Sequence, residues 1–218
     1  MKTSYLVLAS AALALTANSA SAQTAASNAT YVNPANPGNV GTASNSETAD
    51  FTVTGSVNQA CVLGAGGDLN NLNFGTIGIH ADATSSVENV FTAVGTPNGH
   101  TRTNLAGCNT ANTMTVTKTN GANGLVNADA ATGGYDGNVF QANIPYSIAV
   151  QYTAGAVGTL VPQGSISQFS VAATASTNNK SNAAWKSGAA FRIDLTDPTK
   201  ALVAGTYTDT VTVVLAAM

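Results

Sequence analysis

Charged side chains are scarce in this sequence. Asp, Glu, Lys and Arg make up 8% of its 218 residues, against roughly 25% in an ordinary globular protein. With seven basic residues against ten acidic ones, no basic stripe can form, which excludes a nucleic-acid-binding surface. Long surface helices, which rely on Lys, Glu and Arg, are disfavoured on the same ground. Histidine occurs twice (His80, His100) and cysteine twice (Cys61, Cys108). A zinc centre needs more such ligands at close spacing, so no metal or cofactor is expected. Aromatic residues are only 6%, which suits core and edge packing better than a sugar-stacking groove, although six tyrosines and Trp185 are present. No apolar run reaches the roughly 20 residues that a membrane-spanning helix requires.

The longest apolar run is near the start. Lys2 precedes "LVLASAALALTA" (Leu6 to Ala17), and Ala20-Ser21-Ala22 offers the small residues that a signal peptidase reads. The expectation is a signal peptide over 1–22, cleaved before Gln23, and an exported, soluble mature chain. Losing Lys2 leaves six basic residues against ten acidic ones, a net charge near −4. In an exported chain an even cysteine count reads as a disulfide, Cys61 to Cys108; a free thiol pair or a metal site is the alternative.

Thr, Asn, Ser and Gly take the place of charge, and this composition suits strands with Thr on the solvent side and Asn/Gly turns. Residues 23–47 are rich in Ala, Asn, Pro and Gly without periodicity and read as an extended arm. From Thr48 period two sets in. In "TADFTVTGSVNQACVL", Phe51, Val53, Gly55 and Val57 share one face, the pattern of a strand. Further strands are expected at "LNFGTI" (Leu72 to Ile77), around Val87 to Val94, at "NTMTVTKTN" with Met114, Val116 and Lys118 on one side, at "IPYSIAVQYT", "SISQFSVAATAS" and "AAFRIDLT", and in the closing "AGTYTDTVTVVLAAM". "PNGHTRTN" reads as a loop, Gly121 to Asn138 as a long Gly/Asn loop, and "STNNKSNAAWKSG" as a polar loop or short helical turn. Short strands between turn signals imply an all-β sandwich or barrel.

No catalytic constellation stands out. His80 and His100 lie in turn-like segments, and no G-x-S-x-G elbow accompanies them. Asp194 and Asp197 are close in sequence, but Asp197 precedes Pro198 in a turn; Asp129 and Asp136 sit in the Gly-rich loop, where Asx turns are the ordinary role. "GAGGDLNN" has no Lys and no helix after it, so it is not a phosphate loop. A structural or binding protein is therefore expected, not an enzyme. A secreted hydrolase using either histidine is the minor alternative.

Four stretches, taken together, resemble the spore coat protein U (SCPU) domain. They are "FTVTGSVNQACVLGAGGDLNNLNFGTI", "LAGCNTANTMTVTKT", "IPYSIAVQYT" and, above all, "AGTYTDTVTVVL". The resemblance covers residues 48–218. The same domain builds subunits of archaic, Csu-type chaperone–usher pili. It implies an incomplete immunoglobulin-like β-sandwich, completed by donor-strand exchange, behind an extended N-terminal arm. It implies a periplasmic chaperone, an outer-membrane usher and related pilin subunits as partners, and a path through the periplasm to a cell-surface fibre active in adhesion and biofilm formation. On this reading the donor strand lies within 46–57, carried by Ala49, Phe51, Val53 and Gly55. The acceptor-groove edge is the last strand, with Tyr207, Val211, Val213 and Leu215 facing the core. The competing expectation is a closed, monomeric secreted coat or carbohydrate-binding sandwich, in which Phe51 to Val57 is simply the first strand.

Overall fold

Period-two patterning builds most of the chain. The computed structural model describes residues 46, 50–64, 69–82, 84–160 and 165–218; the signal segment, nearly all of the arm and Ala49 lie outside them. The fold is that of Thr54–Met218. Its strands are β1 (Cys61–Leu63), β2 (Asn98–Cys108), β3 (Asn112–Lys118), β4 (Leu125–Val126), β5 (Phe140–Gln141), β6 (Asn143–Ile144), β7 (Tyr146–Thr153), β8 (Ile166–Val171), β9 (Thr177–Asn182), β10 (Trp185–Leu195), β11 (Ala201–Leu202) and β12 (Val211–Ala217). The one α-helix among the described residues is α1 (Ala130–Gly133).

Two antiparallel sheets face each other. One is five-stranded in the order β1-β2-β10-β7-β8; the other is three-stranded in the order β12-β3-β9. Two small ladders, β4–β6 and parallel β5–β11, organise the long loop after β3. In β3 the alternation is strict: Asn112, Met114, Val116 and Lys118 are buried while the threonines between them are half-exposed. β7 buries Tyr146, Ile148, Val150 and Tyr152 in the same way, and β10 adds Trp185, Ala189, Phe191 and Leu195. These faces form one core between the sheets, as the all-β sandwich expectation requires.

Trp185 closes one end of the core. Its ring stacks on Tyr152 at 4.5 Å, and its indole Nε1 donates to Asn112 Oδ1 at 2.8 Å. Beside it, Cys61 and Cys108 are register partners and are joined by a disulfide. Gly107 lets β2 and β10 approach here. It adopts φ +145°, and a Cβ on it would lie 2.0 Å from the Trp185 carbonyl oxygen.

Several expected elements differ. Phe51 to Ala60 is not in a strand; β1 holds only the last three residues of the expected one. Leu72 to Ile77 lies at the sheet without strand pairing. Val87 to Val94 is a succession of turns, in which Ser86 O accepts from the N–H groups of Asn89 and Val90 and Asn89 O from that of Thr92. Its Val87, Val90, Phe91 and Val94 spacing is helical, not period two. The expected loop "PNGHTRTN" starts the long strand β2, because Asn98 to Thr103 pair with β10; Gly99 leaves room for the Phe74 ring, which lies 3.0 Å from where its Cβ would be. The expected polar loop before Trp185 holds strand β9.

Candidate functional site: an open strand edge above the core

β12 is an edge strand with two unlike sides. One side pairs with β3 over the full register from Val211↔Lys118 to Ala217↔Asn112. On the other side it has no strand partner among the described residues. Val211, Val213 and Leu215 point to the core and pack against it, yet each stays half-exposed; Thr212, Val214 and Ala216 face outward. Tyr207, which precedes the strand, is half-buried against the same core, and its hydroxyl donates to Val203 O at 2.5 Å. The inward residues of the neighbouring β3 are fully buried. The row beside the unpaired edge keeps its apolar face only partly covered.

The gap has volume. A groove of ≈ 330 Å³ is lined by Phe74, Ile148, Phe191, Ile193, Val211 and Val213, so its floor comes from both sheets. A second, larger cavity of ≈ 910 Å³ continues past the start of β12, with Ile77, Phe91, Phe140, Leu202 and Tyr207 on its walls. Leu72, Phe74, Leu125 and Asp209 border both. The unpaired segment Leu72 to Ile77 therefore forms the wall facing β12.

Polar chemistry fixes the base of this groove. Lys118 is buried at the end of β3. Its ammonium donates to Tyr146 O (3.0 Å), Ala172 O (3.1 Å) and Ala173 O (3.0 Å) and lies 5.0 Å from the centroid of the Tyr146 ring. Tyr146 Oη donates to Asp209 Oδ2 at 2.7 Å. Asp209 Oδ1 accepts from the backbone N–H of Asn120 at 2.9 Å and of Thr210 at 2.7 Å. Burial holds the Lys118 ammonium below its ordinary pKa, partly offset by the Asp209 carboxylate. Burial first, then the Asp209 hydrogen bond, pushes the Tyr146 hydroxyl far above its own. Buried polar groups of this kind persist because each is satisfied. Together they set where β12 begins relative to β3 and β7. Lys118 on the apolar face of "NTMTVTK" was the sequence signal; nothing in the sequence singled out Asp209.

The leading segment is exposed. Phe51, Val53 and Val57 are 88%, 82% and 88% exposed, and Gly55 has no atom within 4 Å of the place a Cβ would occupy. The chain enters the sandwich beside the end of β12. Asn109 Nδ2 donates to Asn58 O at 2.8 Å, Ala60 N–H donates to Asn109 Oδ1 at 2.8 Å, and Gln59 Nε2 reaches Met218 O at 3.5 Å. The larger cavity is at the other end of the same strand, roughly 20 Å away at about 3.4 Å per residue step.

The residues weighed for catalysis do not come together. His100 is on β2, opposite Arg192, and exposed; His80 pairs through its backbone with Phe91 and Thr92. Asp194 forms an ion pair with Arg192 at 2.8 Å, Asp197 accepts from Thr96 Oγ1 at 2.7 Å, and Asp136 accepts from the Asn138 N–H at 2.9 Å. Among the described residues no three His, Cys, Asp or Glu side chains gather as a metal site would need, and no helix is long and apolar enough to cross a membrane.

Comparison with curated proteins and with solved structures gives no match. A family model does match: the Spore Coat Protein U domain, over residues 47–214. That span takes in both cysteines, the leading apolar alternation from Phe51, the groove and β12 as far as Val214. The chain belongs to the Spore Coat Protein U domain family.

Proposed function

We propose that this protein is a structural subunit of a secreted chaperone–usher-type pilus, which polymerises by donor-strand complementation and serves adhesion and biofilm formation. The observation that carries the reading is the unpaired edge of β12 above a groove floored by core residues of both sheets. An exposed core groove is costly in water, and an added strand would cover it. Such β-augmentation draws affinity from main-chain hydrogen bonds and register from alternate side chains. The occupant is the leading segment within 46–57 of another copy, with Ala49, Phe51, Val53 and Gly55 as the donor face. Phe51, Val53 and Val57, exposed in their own chain, would contribute roughly 5–9 kcal/mol when covered, at about 1.5–3 kcal/mol for each side chain. A periplasmic chaperone holds the groove before assembly, and an outer-membrane usher passes the subunit, exported by its 1–22 signal peptide, to the cell surface.

The position of the donor supports head-to-tail growth. The leading segment departs at one end of β12, whereas the groove opens widest at the other. Deleting residues 23–57 tests the reading. The expected product is a folded, chaperone-bound domain that no longer extends a fibre. Fibres of normal length from the deletion would overturn the donor role.

A further inference from the structure

The two sides of the sandwich are finished differently. β12 and β1 lie near each other on one side, and β8 and β9 on the other. On the β8/β9 side both sheets also end in edge strands, and an edge strand is a template for pairing with any extended chain. β9 reads "TNNKSN", with no apolar residue, and its even-numbered side chains turn toward β8. Asn178 Nδ2 donates to Ser170 O at 2.7 Å, and Lys180 Nζ donates to Gln168 O at 3.0 Å. Buried Asn182 continues the row: its Oδ1 accepts from Ser167 Oγ at 3.1 Å, and its Nδ2 donates to Tyr152 Oη at 2.8 Å. Gln168 and Ser170 are two residues apart on β8. In antiparallel pairing their carbonyls point the same way, away from β7. These are the acceptors that an incoming strand would use.

We propose that Asn178 and Lys180 block strand addition at β8, so that the domain accepts a strand only at β12. This goes beyond the assembly reading and rests on it for the identity of the accepting edge. The physical argument is local. An incoming strand must displace both donors from the β8 carbonyls. It must also cover the Lys180 ammonium, a strongly hydrated point charge, with no carboxylate in the seam among the described residues. An inward-pointing charge on an edge is a recognised defence against sheet extension. The β12 edge has no counterpart among the described residues: its inward residues are Val211, Val213 and Leu215. A subunit with two accepting edges would branch or bundle; with one it extends in a line.

The test uses the mature full-length chain and a fluorescent peptide of residues 46–57, with bound peptide per chain measured by equilibrium dialysis. The double variant Asn178→Ala/Lys180→Ala should bind one more peptide per chain than the unsubstituted protein, and the extra peptide should cross-link to β8. Lys180→Arg, which keeps a charged donor, should retain the original count. Should the double variant fail to fold, Lys180→Met keeps the stem and removes only the donor, and the same extra peptide is expected. An equal count in the substituted and unsubstituted chains overturns the proposal, whatever that count is. Absence of any cross-link to β12 in every form would instead overturn the assembly reading.

Discussion

Replacing Phe51 with Ala separates a donor strand from an ordinary first strand. Phe51 is 88% exposed in its own chain, so its loss removes almost no intramolecular packing. Surface substitutions of that kind stay within about ±0.5 kcal/mol, and the urea midpoint of the single subunit should hardly move. If Phe51 fills a neighbour's groove, the same change removes about 1.5–3 kcal/mol of apolar burial, which weakens association roughly tenfold to somewhat over a hundredfold. Competition between unlabelled peptides of residues 46–57, with and without the substitution, for a labelled donor measures that ratio directly. A subunit destabilised by 2 kcal/mol or more, with unchanged peptide competition, would refute the reasoning: Phe51 would then belong to its own core.

Three further outcomes follow from the same structure. Reducing Cys61–Cys108, which spans 47 residues, should lower the unfolding free energy by about 4 kcal/mol on the loop-entropy model, read by urea denaturation with and without reductant. Gly107→Val should cost at least about 3 kcal/mol or prevent folding, because its Cβ would meet the Trp185 carbonyl at 2.0 Å; accumulation of soluble protein at wild-type levels would contradict this. Thermal stability should fall as pH rises above about 10, where unfolded tyrosines lose their protons. Burial keeps Tyr146 and Tyr207 protonated in the folded chain beyond that point, so the folded state holds more protons and loses stability as pH rises. Lys118, with its pKa lowered by burial, acts in the opposite sense just below its ordinary range. That contribution is complete near the ordinary lysine pKa of about 10.4; above it only the tyrosines act, and Tyr146→Phe should flatten the loss.

The sequence was most legible where one face of a strand is apolar. "NTMTVTK", "YSIAVQY", "AAFRIDL" and the terminal "VTVVLAA" each alternate, and each lies within a strand. β9 was not legible, since "TNNKSN" has no apolar face to count. It is a strand because it pairs with β3, and its inward side chains bond to β8 and Tyr152 instead of packing. β2 was obscured by Pro97-Asn98-Gly99, a turn signal that here marks a glycine making room for Phe74. "FTVTGSV" and "LNFGTI" have strand patterns without strand partners among the described residues. Periodicity records the face that a segment offers; it does not say which molecule covers that face. The groove itself is lined by residues distant in sequence, such as Ile148 and Val213, which no local pattern brings together.

Amide hydrogen exchange along Val211–Ala217, compared between the single subunit and the assembled form, addresses the open edge most directly. Successive amides of an antiparallel strand point to alternate sides. In the single subunit every second amide of β12 is therefore expected to exchange fast, while those bonded to β3 stay protected. On assembly the fast set should become protected together with the amides of Phe51 to Val57. Uniform protection of β12 in the single subunit, or assembly that leaves its fast amides unchanged, would contradict the account.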